Sequence, residues 1–178
     1  MRIALAVVIT LLATLSLPAL LFAKGDVVRI TIKGADLKTP IVITNPNVLM
    51  DFPVGTGPGT SSSVPGFNPN APGFIIDWSH GPIGKPPKGL QRYEVSFYAK
   101  WPNERLIYVV FWEYDPRSRQ VYVYLPGKAD EWYRLNVGTI FHGVEGSWFR
   151  AWSKWDNMAS PLTSGAKAAD SNHWSPAR

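Results

Sequence analysis

The stretch Gln91–Leu125, QRYEVSFYAK-WPNE-RLIYVVFWEY-DPRSR-QVYVYL, decides the fold. Tyr93, Val95 and Phe97 alternate with Arg92, Glu94 and Ser96, the period of a strand with one dry face. Pro102-Asn103 supplies turn residues, and Pro102 cannot donate to a ladder. From Leu106 to Trp112 every residue is apolar or aromatic, as in a central strand covered on both faces. Asp115-Pro116 opens a second turn, after which Val121, Val123 and Leu125 alternate with Tyr122 and Tyr124. The pattern predicts three antiparallel strands in a meander.

A first turn centred on Pro102-Asn103 sets the register. It places Lys100 opposite Arg105, Phe97 opposite Tyr108, Val95 opposite Val110, and Tyr93 opposite Trp112. These residues, extended by Val121, Val123 and Leu125, form the expected core face. The reverse face carries Arg92, Glu94, Ser96, Tyr98, Ile107, Val109, Phe111, Glu113, Tyr122 and Tyr124, with Arg92 across from Glu113 as an ion pair. A slip of one residue would exchange the two faces of the central strand.

Outward from this block, Val27–Lys33 alternates cleanly and reads as a strand, and Ile41–Thr44 as a second, short one. Asn45-Pro46 is a helix start, an N-cap residue followed by Pro at the first helical position. Between Phe52 and Gly89, 16 of 38 residues are Gly or Pro, too many for long regular structure. This segment nevertheless carries Phe52, Phe67 and the run Phe74–Trp78, more large apolar groups than a disordered linker holds. It reads as a long irregular loop pinned by Phe74, Ile76 and Trp78. Residues 56–70, with Phe67 as their one aromatic residue, are expected to stay mobile. Beyond the meander, Glu131–Val137 reads as a fourth strand and Ser147 to about Ala151 as a closing strand. A short helix then runs from Ser153 to Ser160, and a frayed tail covers 163–178. Trp148, Trp152, Trp155 and Ala159 also fit helical spacing, so a helix over that stretch stays open.

Residues 1–23 form an apolar run behind Arg2, broken by Pro18 and ending at Ala23, the pattern of a signal peptide cleaved before Lys24. The alternative is a retained N-terminal membrane anchor, because about 20 apolar residues span a bilayer. The chain has no cysteine, so neither a disulfide nor a thiol nucleophile is available. Loss of Arg2 with the leader would leave the net charge one below the +5 of the whole chain. Its basic residues are scattered, and nucleic-acid binding would call for a concentrated patch. The reading is therefore an exported protein, periplasmic or extracellular, with one domain over 24–162.

Motifs for chemistry are sparse. Gly55-Thr-Gly-Pro-Gly-Thr60 lacks the sixth-place Gly of a dinucleotide loop, and no Lys-Ser/Thr pair follows it. His80, His142 and His173 are isolated, with no metal-ligand spacing, so no metal and no cofactor are expected. His142 with Glu145 could form an acid/base pair, but two exposed polar residues beside a glycine turn is the simpler reading. Glu94 and Glu113, on one face of neighbouring strands, would suit glycoside cleavage, yet Arg92 opposite Glu113 suggests a structural pair.

The unusual signal is aromatic: 8 Trp, 7 Tyr and 8 Phe, with part of the tryptophan content (Trp112, Trp148 and Trp155) expected to fill the core. Exposed rings recognise sugars and other apolar faces by stacking. The candidate recognition surface is thus Tyr98, Tyr122 and Tyr124 around Glu94 and Arg92, with Arg134 and Arg150 as further anion-binding groups. No catalytic residue is assigned.

The blocks Pro40-Ile-x-Ile-Thr44, Asn45-Pro46, Tyr122-Val-Tyr-Leu-Pro-Gly127 and Trp148-Phe-Arg-Ala151 resemble those of a group of exported bacterial proteins of unknown function. The resemblance spans Val27 to Leu162 and implies export and a single β-rich domain. The fold expected is mainly β, a β-rich α+β arrangement. It has an antiparallel twisted sheet or small sandwich, one or two short helices and the 52–89 loop. The function expected is a non-catalytic binding or interaction domain for carbohydrate or another envelope protein. The alternatives are a secreted hydrolase and a structural envelope protein. Membrane association follows only if the leader is retained.

Overall fold

The structure, a computed structural model, describes residues 26–35, 37–60, 73–100 and 102–172, with side chains of the last helix described as far as residue 166. Residues 1–25, which include the expected leader, residues 61–72 with Phe67, and His173 lie outside the described residues. Six antiparallel strands form one open sheet: β1 (Val27–Gly34), β2 (Ile41–Ile43), β3 (Gln91–Lys100), β4 (Glu104–Asp115), β5 (Gln120–Tyr124) and β6 (Trp148–Arg150). Their order across the sheet is β2-β1-β3-β4-β5-β6. Among the described residues three α-helices accompany it, α1 (Pro46–Leu49), α2 (Tyr133–Thr139) and α3 (Ser153–Asn172), with one 3-10 turn at Trp78–His80. The fold is mainly β, as the alternation predicts.

The meander has the expected register over most of its length. Tyr93 pairs with Trp112, Val95 with Val110, Phe97 with Tyr108 and Arg92 with Glu113. A bulge after Phe97 leaves Ile107 unpaired, so Lys100 meets Glu104 rather than Arg105. α1 begins as the sequence predicts, with Asn45 Oδ1 accepting from the Asn47 amide at 3.0 Å and Pro46 in the first position.

The core lies on one face of the sheet. Val95, Phe97, Tyr108, Val110, Trp112, Val123 and Leu125 are buried there. Phe74 packs its ring 5.1 Å from Phe97 and 5.5 Å from Tyr108. Phe52 meets Trp155 edge-on at 5.1 Å, and Trp155 in turn meets Trp112 at 6.2 Å. The Gly/Pro-rich segment is thus the lid of the core, with Phe52, Val54, Phe74, Ile75 and Ile76 all buried. It also closes the β6 edge. Ile76 bridges Ala151, Ile83 bridges Trp148, and the Asp77 amide donates to the Arg150 carbonyl at 3.0 Å.

Residues 56–60, the described part of the stretch expected to stay mobile, make contacts of their own. Thr56 Oγ1 accepts from the Phe74 amide at 2.8 Å, and the Pro58 carbonyl lies 2.7 Å from His142 Nδ1. Gly57, at φ +111°, lies so close to the Trp78 indole that a Cβ would sit 2.4 Å from it.

Two further elements differ from expectation. The fourth strand over Glu131–Val137 is helix α2. Alternation in EWYRLNV competes with the spacing of Trp132, Leu135, Asn136 and Thr139, and tertiary bonding decides for the helix. Asn136, fully buried, donates from Nδ2 to the Val109 carbonyl at 2.7 Å and accepts at Oδ1 from the Val109 amide at 2.9 Å. Thr139 Oγ1 donates to the Ile107 carbonyl at 2.6 Å. β5 pairs β4 only from Phe111 to Asp115, so α2 takes over where that ladder stops. The last helix also runs past Pro161 to Asn172 instead of ending at Ser160, and the expected tail is helical to that point. Thr163, buried, donates its hydroxyl to the Ser160 carbonyl at 3.0 Å and carries the packing beyond the proline.

Candidate functional site

On the reverse face the cross-strand register assembles two rows of side chains. One runs Arg92–Glu113–Tyr122–Arg150 and the other Glu94–Phe111–Tyr124–Trp148. The period of two puts Phe111, Tyr124 and Trp148 side by side. Phe111 and Tyr124 stack at 6.4 Å and 23°, and Tyr124 meets Trp148 at 4.9 Å and 34°. The Arg92 guanidinium lies 4.0 Å from the Phe111 ring centre and 5.9 Å from that of Tyr124. Trp148, expected in the core, therefore stands on this face. The core position on β6 belongs to Phe149, which is buried against Trp78.

These residues border an open cleft of about 640 Å³, lined by Arg92, Glu113, Tyr124 and Trp148 from the sheet. Its rim is the Lys85–Leu90 stretch on one side, with Asp130 and Gly146 also lining it. Asp130 Oδ2 accepts from the Tyr124 hydroxyl at 2.9 Å and from the Gly127 amide at 2.7 Å, which fixes the turn after β5. Gly127 and Gly146 let two turns touch, since a Cβ on Gly127 would come within 2.8 Å of Gly146 Cα. Burial pushes the Tyr124 phenol up, reinforced by its bond to Asp130, so it remains a donor.

Glu113 has a side chain only 12% exposed and lies 3.5 Å from Arg92 Nε. Burial raises its pKa, with Arg92 and Lys85 opposing the shift in part. A carboxyl whose folded pKa is raised adds stability below its unfolded pKa and loses it as pH rises through the folded value. Glu113→Gln is accordingly expected to remove this loss. Urea midpoints of wild type and variant should diverge in the variant's favour between about pH 4 and pH 7, and an unchanged difference would contradict the assignment.

The seven sequence-predicted site residues are not all brought together. Arg92 and Tyr124 line the cleft. Tyr122, 9% exposed, sits behind it and donates to Gln120 Oε1 at 2.7 Å, while Arg150 is exposed beside it on β6. Glu94 is committed elsewhere, accepting from Ser96 Oγ and Trp132 Nε1 and pairing with Lys33 at 3.0 Å. Tyr98 lies at the far end of the face, under the Arg29 guanidinium at 3.6 Å. Arg134 is exposed on α2. Sequence reasoning missed Lys85, Lys88 and Asp130, which arrive from loops. Trp148 could have been placed, because it alternates with Phe149.

His142 and Glu145 form no exposed acid/base pair. His142 is 4% exposed, its ring 5.0 Å from that of Trp78 and tilted by 41°, and Glu145 Oε1 accepts from its backbone amide at 2.6 Å. His80 is exposed and 2.8 Å from Asp77 Oδ2. Among the described residues no cluster of three or more His, Asp or Glu could hold a metal. A second hollow of about 650 Å³ beside Met50 and Val54 is mainly apolar, with Asp26 its one ionisable lining residue.

No protein-family model, curated protein or solved structure matches the chain. Fold and site together define a single open antiparallel sheet that is packed on one face and carries a charged aromatic cleft on the other.

Proposed function

We propose that the protein is an exported, non-catalytic binding domain that seats a saccharide in the reverse-face cleft. The observation that carries this reading is the Tyr124–Trp148 pair beside Arg92 and Glu113 in one open cleft. Aromatic faces stack against the C–H faces of sugar rings, and the neighbouring polar groups meet hydroxyls. The cleft volume falls within the roughly 300–1,000 Å³ of small-ligand sites, which favours a ligand of this size over a flat protein contact. The leader pattern supports export.

Glu113 and Asp130 both line the cleft, which favours glycoside cleavage as a second reading. The partners of each carboxylate argue against it: Arg92 stands beside Glu113, and Asp130 anchors the Gly127 turn.

Affinity electrophoresis through gels containing neutral or acidic polysaccharides tests the reading. Wild-type protein should be retarded by at least one polymer. Trp148→Ala should lose about tenfold in affinity, roughly 1.4 kcal/mol, with an unchanged circular dichroism spectrum. Release of reducing ends from the retarding polymer would move the assignment to a hydrolase. Undiminished retardation of Trp148→Ala would place the ligand elsewhere.

A further inference from the structure

We infer that the ligand of the cleft is an acidic saccharide, a sugar polymer whose rings stack on Tyr124 and Trp148 while its carboxylates meet Lys85, Lys88 and Arg92. The inference rests on the saccharide reading and adds its charge.

Three cationic side chains line the cleft against two carboxylates, Glu113 and Asp130. The carboxylates are already engaged. Asp130 receives a hydroxyl and an amide proton on one oxygen, and Glu113 lies beside Arg92. The cations are less so. Lys85 and Lys88 are exposed, and neither forms an ion pair among the described residues. Arg92 remains 47% exposed and meets Glu113 at a long 3.5 Å. Three cations against two carboxylates leave the concave site one positive charge in excess, which attracts anions.

The rim is also held in place. Pro86 and Pro87 separate the two lysines, and each fixes its own φ, so little backbone freedom remains to be lost on binding. Pro86 is buried, and Ile83 just before it donates its amide to the Trp148 carbonyl at 2.8 Å. The ammonium groups are therefore carried on a rim tied to the strand that bears the stacking indole. A free anion would use the lysines alone and a neutral sugar the rings alone. Charges beside stacked rings suit a uronate-type polymer.

The test compares polygalacturonate, its fully methyl-esterified form, a neutral glucan and poly-glutamate as titrants for the full chain by calorimetry. Polygalacturonate should bind, weakening as salt rises from about 50 to about 500 mM. The ester should bind at least about tenfold more weakly, and Lys85→Ala/Lys88→Ala should lose about tenfold for the acid form alone. Both lysines are exposed, so that variant keeps the fold. Equal affinity for acid and ester, or an unaffected double variant, would overturn the inference while leaving the saccharide reading. Poly-glutamate binding as tightly as polygalacturonate would overturn it in favour of an acidic peptide. Binding to the neutral glucan alone would overturn the charge, and binding to none of the four would overturn the saccharide reading as well.

Discussion

Asn136→Ala is expected to lower the free energy of unfolding by about 2 to 5 kcal/mol. Two buried backbone groups, the amide and carbonyl of Val109, are satisfied by this one side chain. Leaving a buried donor or acceptor unpaired costs about 1 to 3 kcal/mol each. Val109 is fully buried, so bulk solvent does not reach these two groups in the folded protein. Thr139→Val removes the neighbouring bond to Ile107, made by a half-buried hydroxyl, and should cost only about 1 kcal/mol. Urea denaturation followed by far-ultraviolet circular dichroism gives both values. A midpoint for Asn136→Ala within error of wild type would mean that α2 does not complete the edge of β4.

Trp155→Ala should cost about 3 to 5 kcal/mol, a large share of the roughly 5 to 15 kcal/mol of a typical domain. Trp155 is fully buried and contacts Phe52 from the Gly/Pro-rich segment and Trp112 from β4. It therefore fastens α3, the segment and the sheet together. Its indole Nε1 makes no hydrogen bond among the described residues, so Trp155→Phe loses volume but no bond. That variant should lose less than about 2 kcal/mol. Equal losses for the alanine and phenylalanine variants would show that something other than packing holds the indole.

The meander was legible because Tyr93, Val95 and Phe97 on one strand and Tyr108, Val110 and Trp112 on the next share a period and a short turn. The bulge at Ile107 was not, since no Gly or Pro marks it. Helix α2 escaped for a different reason. Trp132 to Thr139 satisfies both periods locally, and the choice rests on Asn136 meeting a backbone segment 27 residues away in sequence. The last helix was expected to end at Ser160, but it continues through Pro161, with Thr163 buried on the far side. Of the cleft, the Arg92–Glu113 pair and the place of Tyr124 followed from register alone. Its rim did not, because Lys85, Lys88 and Asp130 reach the site through irregular backbone whose path no periodicity encodes. Tyr98 and Glu94 share the face with Tyr124 but not the cleft, because Arg29 stacks over one and Lys33, Ser96 and Trp132 engage the other.

The most direct test of the reverse-face cleft as the binding site is amide and indole chemical-shift mapping of the 15N-labelled protein against a panel of neutral and acidic oligosaccharides. Saturable shifts should concentrate on the Trp148 indole N–H and on the amides of Tyr124, Gly127 and Gly146. The core amides of Val95 and Val110 should stay in place. Shifts confined to the hollow beside Met50, or none with any member of the panel, would contradict the account.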